Sequence, residues 1–93
     1  MAVYIDNFQA AYRNMIMCHM IADTLNELHD MAEAIGIHRR HFQNKNRHHP
    51  HYDICRSKRE LAIKLGAIEL DCRELVLKLK QVEHIQSWMN AVR

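Results

Sequence analysis

Met15–Ile37 reads MIMCHMIADTLNELHDMAEAIGI, and the change of hydrophobic period halfway along it decides the fold class. Met15–Ala22 is a nearly unbroken apolar run, as expected of a strand buried on both faces. Thr24-Leu-Asn-Glu27 then forms a capping box, in which a threonine hydroxyl takes the third helical N–H and the glutamate reaches back. Beyond it Leu25, Leu28, Met31, Ala32 and Ile35 recur at helical spacing, and Gly36 supplies the left-handed residue that closes a helix. A strand running directly into a helix is the unit from which α/β domains are built.

The flanking sequence extends this pattern. Ala2–Asp6 (AVYID) is short and rich in β-formers, so it reads as a first strand. Phe8–Asn14 holds no breaker and is expected to be a loop or a helical turn. After Gly36, Ile37–Gln43 is expected to return extended beside the helix, as in a right-handed βαβ crossover. Asn44–Pro50 is a loop by its turn formers, and His51–Cys55 a short strand. Ser57-Lys-Arg-Glu60 is a second capping box, its helix closed by Gly66 ahead of a short strand at Ala67–Leu70. Asp71-Cys-Arg-Glu74 is a third cap, opening a helix expected to run from Cys72 to about Ala91. Leu75, Leu79, Val82, Ile85, Met89 and Val92 form its apolar stripe, with Trp88 alongside. The expected fold is one small α/β domain with a short, mostly parallel sheet and three helices, the C-terminal one long. Residues 1–71 would be the core. Residues 72–93 would add a helix with more apolar surface than the body can cover, and hence a homodimer contact.

Ninety-three residues suffice for one core only. The 48% hydrophobic and 26% charged content is that of a soluble globular chain. No apolar run is long enough to span a bilayer, and MAVYIDNF does not resemble a secretory signal. Cys18, Cys55 and Cys72 form no C-x-x-C pair, which fits reduced thiols and a cytoplasmic location. Charge is uneven. From Ile37 to Arg59 there are seven Lys or Arg against one acid, Asp53, while the rest of the chain has six against ten. A cationic segment of this kind suits an anionic partner, a nucleotide or nucleic acid, although a solvated basic loop has the same composition.

Three constellations in FQNKNRHHPHYDICRSKR (Phe42–Arg59) bear chemistry. His49, His51, Asp53 and Cys55 alternate, so a strand would put them on one face, where histidine, carboxylate and thiolate suit zinc. Neighbours on one strand do not readily reach one ion, so a zinc-type, hydrolase-like site would have to borrow His19 or His29. The second constellation is a phosphate site. Ser57, Lys58 and Arg59 open a helix whose first-turn N–H groups attract anions, with His51 and Asp53 upstream as an acid–base pair and Gln43 and Tyr52 as neutral donors. The third is single-strand nucleic-acid binding, in which cations interleave with Phe42, Tyr52 and imidazoles.

The chain resembles a small bacterial and phage family, domain of unknown function 4031, through H-x-x-A-D-T-x-x-E-L-H, F-Q, H-Y-D and K-R-x-x-A-I-x-x-G-A. These fall at His19, Asp23, Glu27, His29, Phe42, Gln43, His51, Tyr52, Asp53, Lys58, Arg59, Gly66 and Ala67. The resemblance implies that the polar members form one site, and it names no activity or cofactor. The expected function is binding of a phosphate-bearing ligand, with hydrolysis by His19, His29, His51 and Asp53 as the further step. Gln43, Tyr52, Ser57, Lys58 and Arg59 would hold the ligand. The alternative is a non-enzymatic accessory protein that dimerises through its last helix.

Overall fold

A computed structural model describes residues 2–43 and 50–80. The strands are β1 (Val3–Ile5), β2 (Ala10–Tyr12), β3 (Met15–Ala22), β4 (Tyr52–Cys55) and β5 (Ile68–Glu69). The helices are α1 (Leu25–Ala34), α2 (Arg56–Lys64) and α3 over residues 72–80, with a 3₁₀ turn at Arg39–His41.

The sheet is mixed and mainly antiparallel, which corrects the expectation of a mostly parallel one. β1, β2 and β4 all pair antiparallel with β3, and only β5 runs parallel, along β1. The registers place β1 against the C-terminal half of β3 and β2 against its N-terminal half. Because β4 also pairs with Met17–Met20, β1 and β2 share the opposite edge of β3. They are one strand interrupted by Asp6–Gln9. The segment expected to be a loop or helical turn is therefore half of a hairpin, closed by Arg13 and Asn14 at φ 48° and 66°. Two successive left-handed residues match the twist of a two-residue hairpin turn.

The expected crossover after α1 fails for a local reason. Gly36 (φ 82°) ends the helix in a Schellman motif, with Gly36 N–H on Glu33 and Ile37 N–H on Ala32. His38 Nδ1 then accepts the Arg40 N–H at 3.0 Å and caps the 3₁₀ turn, so the chain bends where a strand was expected. It rejoins the sheet only through Gln43, bridged to His51. After α2, Gly66 (φ 104°) makes the same motif and delivers β5 as expected.

Two of the three expected caps form. Thr24 accepts the Glu27 N–H and donates its hydroxyl to the Glu27 carboxylate; Asp71 and Glu74 exchange both bonds. The Ser57 box does not form. α2 starts two residues earlier, with Cys55 as its N-cap and no side-chain cap bond. α3 is helical over 72–80, in place of the expected helix to Ala91, whose remainder lies outside the described residues.

Strand alternation divides the molecule into two faces. Val3, Ile5, Cys18, Met20, Ala22, Tyr52 and Ile54 point to one side and pack on Leu28 and Ala32 of α1, its C-cap Ile35, and Ala62 of α2. Tyr4 and Ile21 point to the other side and are covered by Leu75 of α3. Asp23 fastens that second layer: it accepts from Ala2 N–H and the Tyr4 hydroxyl and pairs with Lys78 at 3.7 Å. α3 covers only part of its face, and the uncovered part holds the candidate site. Among the described residues no helix is long and apolar enough to cross a membrane.

Candidate functional site

The site begins where the β1 ladder breaks. Asp6 lies opposite His19, and Asp6 N–H still bonds the His19 carbonyl at 3.1 Å. The return bond is different. His19 N–H goes to Asp6 Oδ1 at 2.8 Å instead of the Asp6 carbonyl, which accepts from Arg59 Nε at 3.1 Å. Asp6 Oδ1 also takes the Phe8 N–H, and Oδ2 meets His19 Nδ1 at 2.7 Å. A carboxylate thus substitutes for backbone at a bulge and holds an imidazole in one orientation.

The Asp6 side chain is 2% exposed and that of His19 37%. Burial alone would raise the Asp6 pKa, but the side-chain and backbone hydrogen bonds from His19 outweigh it and hold the carboxyl below its ordinary value. The bond to Asp6 raises the His19 pKa, against a smaller opposing effect of burial, with Asp53 adding charge. An ionised Asp6 has no proton to give, so Nδ1 donates and Nε2 is the nitrogen that titrates. Nε2 faces Asp53, whose Oδ1 lies 3.9 Å away.

Asp53 is directly across the β3–β4 ladder from His19, and His51 is two residues before it on the same face. His51 Nε2 is 3.4 Å from the same Asp53 Oδ1, and the two imidazoles meet edge to face at 5.7 Å between centroids. Gln43, brought alongside by its bridge to His51, donates its amide to Asp53 Oδ2 at 2.7 Å. These groups line a hollow of about 490 Å³, walled by Phe8, Ile21 and α3 residues Leu75, Val76 and Leu79. Phe8 stacks on His19 at 5.4 Å and 26°.

Of the expected site residues, His19, His51, Asp53 and Gln43 come together. His29 and Tyr52 do not join them. They sit on the helix-covered face, where His29 Nδ1 bonds the Tyr52 hydroxyl at 2.8 Å and the His29 ring packs edge-on against Phe42. Burial, then the charge of Arg39, lowers the His29 pKa, and burial raises that of Tyr52. The bond ties α1 to β4 on that face. Strand alternation decides the split, because Tyr52 and Asp53 are neighbours and must face opposite ways.

The expected phosphate cradle is also divided. Arg59 bonds the Asp6 carbonyl and pairs with Glu69 at 2.9 Å, so it fixes the bulge. Lys58 Nζ lies beside Gly36, where it meets the negative end of α1. The Ser57 hydroxyl contacts Cys55 Sγ at 3.3 Å; that bond and the backbone N–H groups at the start of α2 lower the Cys55 pKa against its burial. His49 lies outside the described residues. Among those described, no group of three or more His, Cys, Asp or Glu is arranged to hold a metal ion.

The residue that sequence reasoning missed is Asp6. It directly follows β1, two residues beyond Tyr4, and so shares Tyr4's face, but that face acquires meaning only once the register puts His19 opposite.

A mixed-sheet α/β domain with a buried carboxylate–imidazole pair at a strand bulge is the class these features define. The chain belongs to the family described as protein of unknown function DUF4031, which it matches over residues 3–82. No curated protein and no solved structure matches it.

Proposed function

We propose that the domain binds a phosphate-bearing ligand and transfers a proton on it, with His19 as the general acid and His51 as its partner base. The observation that carries this reading is the buried Asp6 carboxylate on His19 Nδ1 at 2.7 Å, which leaves Nε2 to titrate in a hollow shared with His51 and Asp53. Asp6 is the positioning residue: it fixes ring and tautomer and favours the charged imidazolium over the neutral ring. A charged His19 and the Gln43 amide are donors suited to phosphate oxygens, and the basic composition of residues 37–59 supports an anionic ligand. Asp53 holds its position between the two imidazoles and Gln43, and accepts from donors the ligand brings.

Inorganic phosphate and a nucleoside monophosphate, titrated separately while the histidine ring signals are followed by NMR, test the reading. The His19 and His51 signals are expected to move together and that of His29, across the sheet, to stay. Unmoved His19 and His51 signals at millimolar ligand would sink the proposal.

A second reading is an accessory protein that dimerises through α3. It is favoured by the exposure of Val76 (53%) and Leu77 (57%) on that helix. A monomer at micromolar concentration by light scattering would refute it.

A further inference from the structure

The acid–base groups do not sit at the bottom of a closed pocket. His19, Gln43 and Asp53 also line a second hollow of about 420 Å³, which continues past them to Met17, Ala11 and His41. His19, Gln43 and Asp53 therefore stand between two adjoining hollows, an arm on each side of them. A pocket built for a small molecule surrounds it, and a groove open past its reactive groups suits a chain laid across them.

The two arms differ in chemistry. In the first, Phe8 presents an aromatic ring 45% exposed, beside the apolar wall of α3. In the second, His41 lies at the end of the 3₁₀ turn, whose Arg39, Arg40 and His41 are all exposed; Arg40 Nε is 3.5 Å from His41 Nε2. An aromatic platform and a cationic stretch along one groove are the two devices with which proteins hold unpaired nucleic acid. Asp53, the carboxylate between the arms, would oppose a phosphate. It accepts instead from donors such as base N–H groups or ribose hydroxyls.

We infer that the phosphate-bearing ligand of this site is a single-stranded nucleic acid crossing His19 and Asp53, with a base stacked on Phe8 and a phosphate at Arg40 and His41. This rests on the acid–base reading and narrows its ligand.

Fluorescence anisotropy tests it with labelled oligouridylate and oligothymidylate of about ten nucleotides, a duplex of the same length, and the mononucleotide UMP as competitor. Both single strands, or the RNA strand alone, are expected to bind in preference to the duplex, and UMP is expected to compete weakly. Phe8→Ala is expected to weaken binding about fivefold or more, the effect of one lost stack. Arg40→Ala should reduce the salt slope by about one. Both side chains are exposed, and a thermal melt of each variant checks that the fold is kept. Duplex binding as tight as single-strand binding, UMP competing at equal concentration, or unchanged affinity in both variants would overturn the inference. So would absence of saturable binding at about 100 µM oligonucleotide. The proton-transfer reading fails by a different observation, an unshifted His19 titration, so the two are separable.

Discussion

Because burial opposes ionisation of Asp6 while its bonds to His19 favour it, the pair contributes most to stability where both groups are charged. His19 has a raised pKa in the folded state, so its contribution is complete below its ordinary value of 6.5 and is lost as pH rises through the folded value. Asp6 has a lowered one, so its contribution is complete above 3.8 and is lost as pH falls through the folded value. Between these limits Asp6→Asn is expected to destabilise the domain most. The cost should be about 1–2 kcal/mol, the usual worth of a charge-assisted bond reduced because His19 is partly open to solvent. The difference should shrink on both sides, as urea melts of both proteins across pH would reveal. A second residue-scale prediction separates the two faces. Tyr52→Phe, which leaves His29 Nδ1 without its hydroxyl partner, should cost about 1 kcal/mol and leave phosphate binding unchanged. A matching loss of binding by calorimetry would mean that His29 and Tyr52 belong to the site.

At the scale of elements, the strongest local signals survived folding. β3 spans the Met15–Ala22 of the apolar run, and the Thr24 and Asp71 caps and both glycine helix ends form where the sequence places them. What could not be read is where each closed helix sends the chain. AIGI and KLGAI end helices identically, but the first leads into a turn capped by His38 and the second into β5, a choice set by residues downstream of the glycine. The Arg13–Asn14 turn was equally hidden, since arginine seldom adopts positive φ and gives none of the usual hairpin signature. The site was legible in the same measure. The polar residues of β3 and β4 announced themselves by type, but their division between two faces depends on pairing. Gly36→Ala tests the helix-end argument. A side chain at φ 82° is strained, and its Cβ would come within 3.1 Å of Lys58 Nζ. It should lower stability by about 1 kcal/mol, and calorimetry showing no loss would contradict the Schellman assignment.

For the whole molecule, the sheet separates support from chemistry: α1 and α2 bury one face, and α3 covers just enough of the other to wall the hollow. Leu75 links these roles, since it is buried against Tyr4 and Ile21 and also lines the groove. Leu75→Ala should cost about 2–3 kcal/mol and weaken ligand binding, whereas Leu77→Ala, on the exposed side of α3, should do neither. Equal effects of the two in melts and titrations would mean that α3 does not shape the site. Everything functional in this account depends on one proton, held at His19 by a carboxylate thirteen residues away in the chain. The pH titration of the His19 ring by NMR, in the wild type and in Asp6→Asn, measures it directly. The His19 pKa is expected to lie above the ordinary histidine value and to fall when Asp6 loses its charge; an ordinary value, unchanged by the substitution, would contradict the Asp6–His19 pairing as the source of that proton.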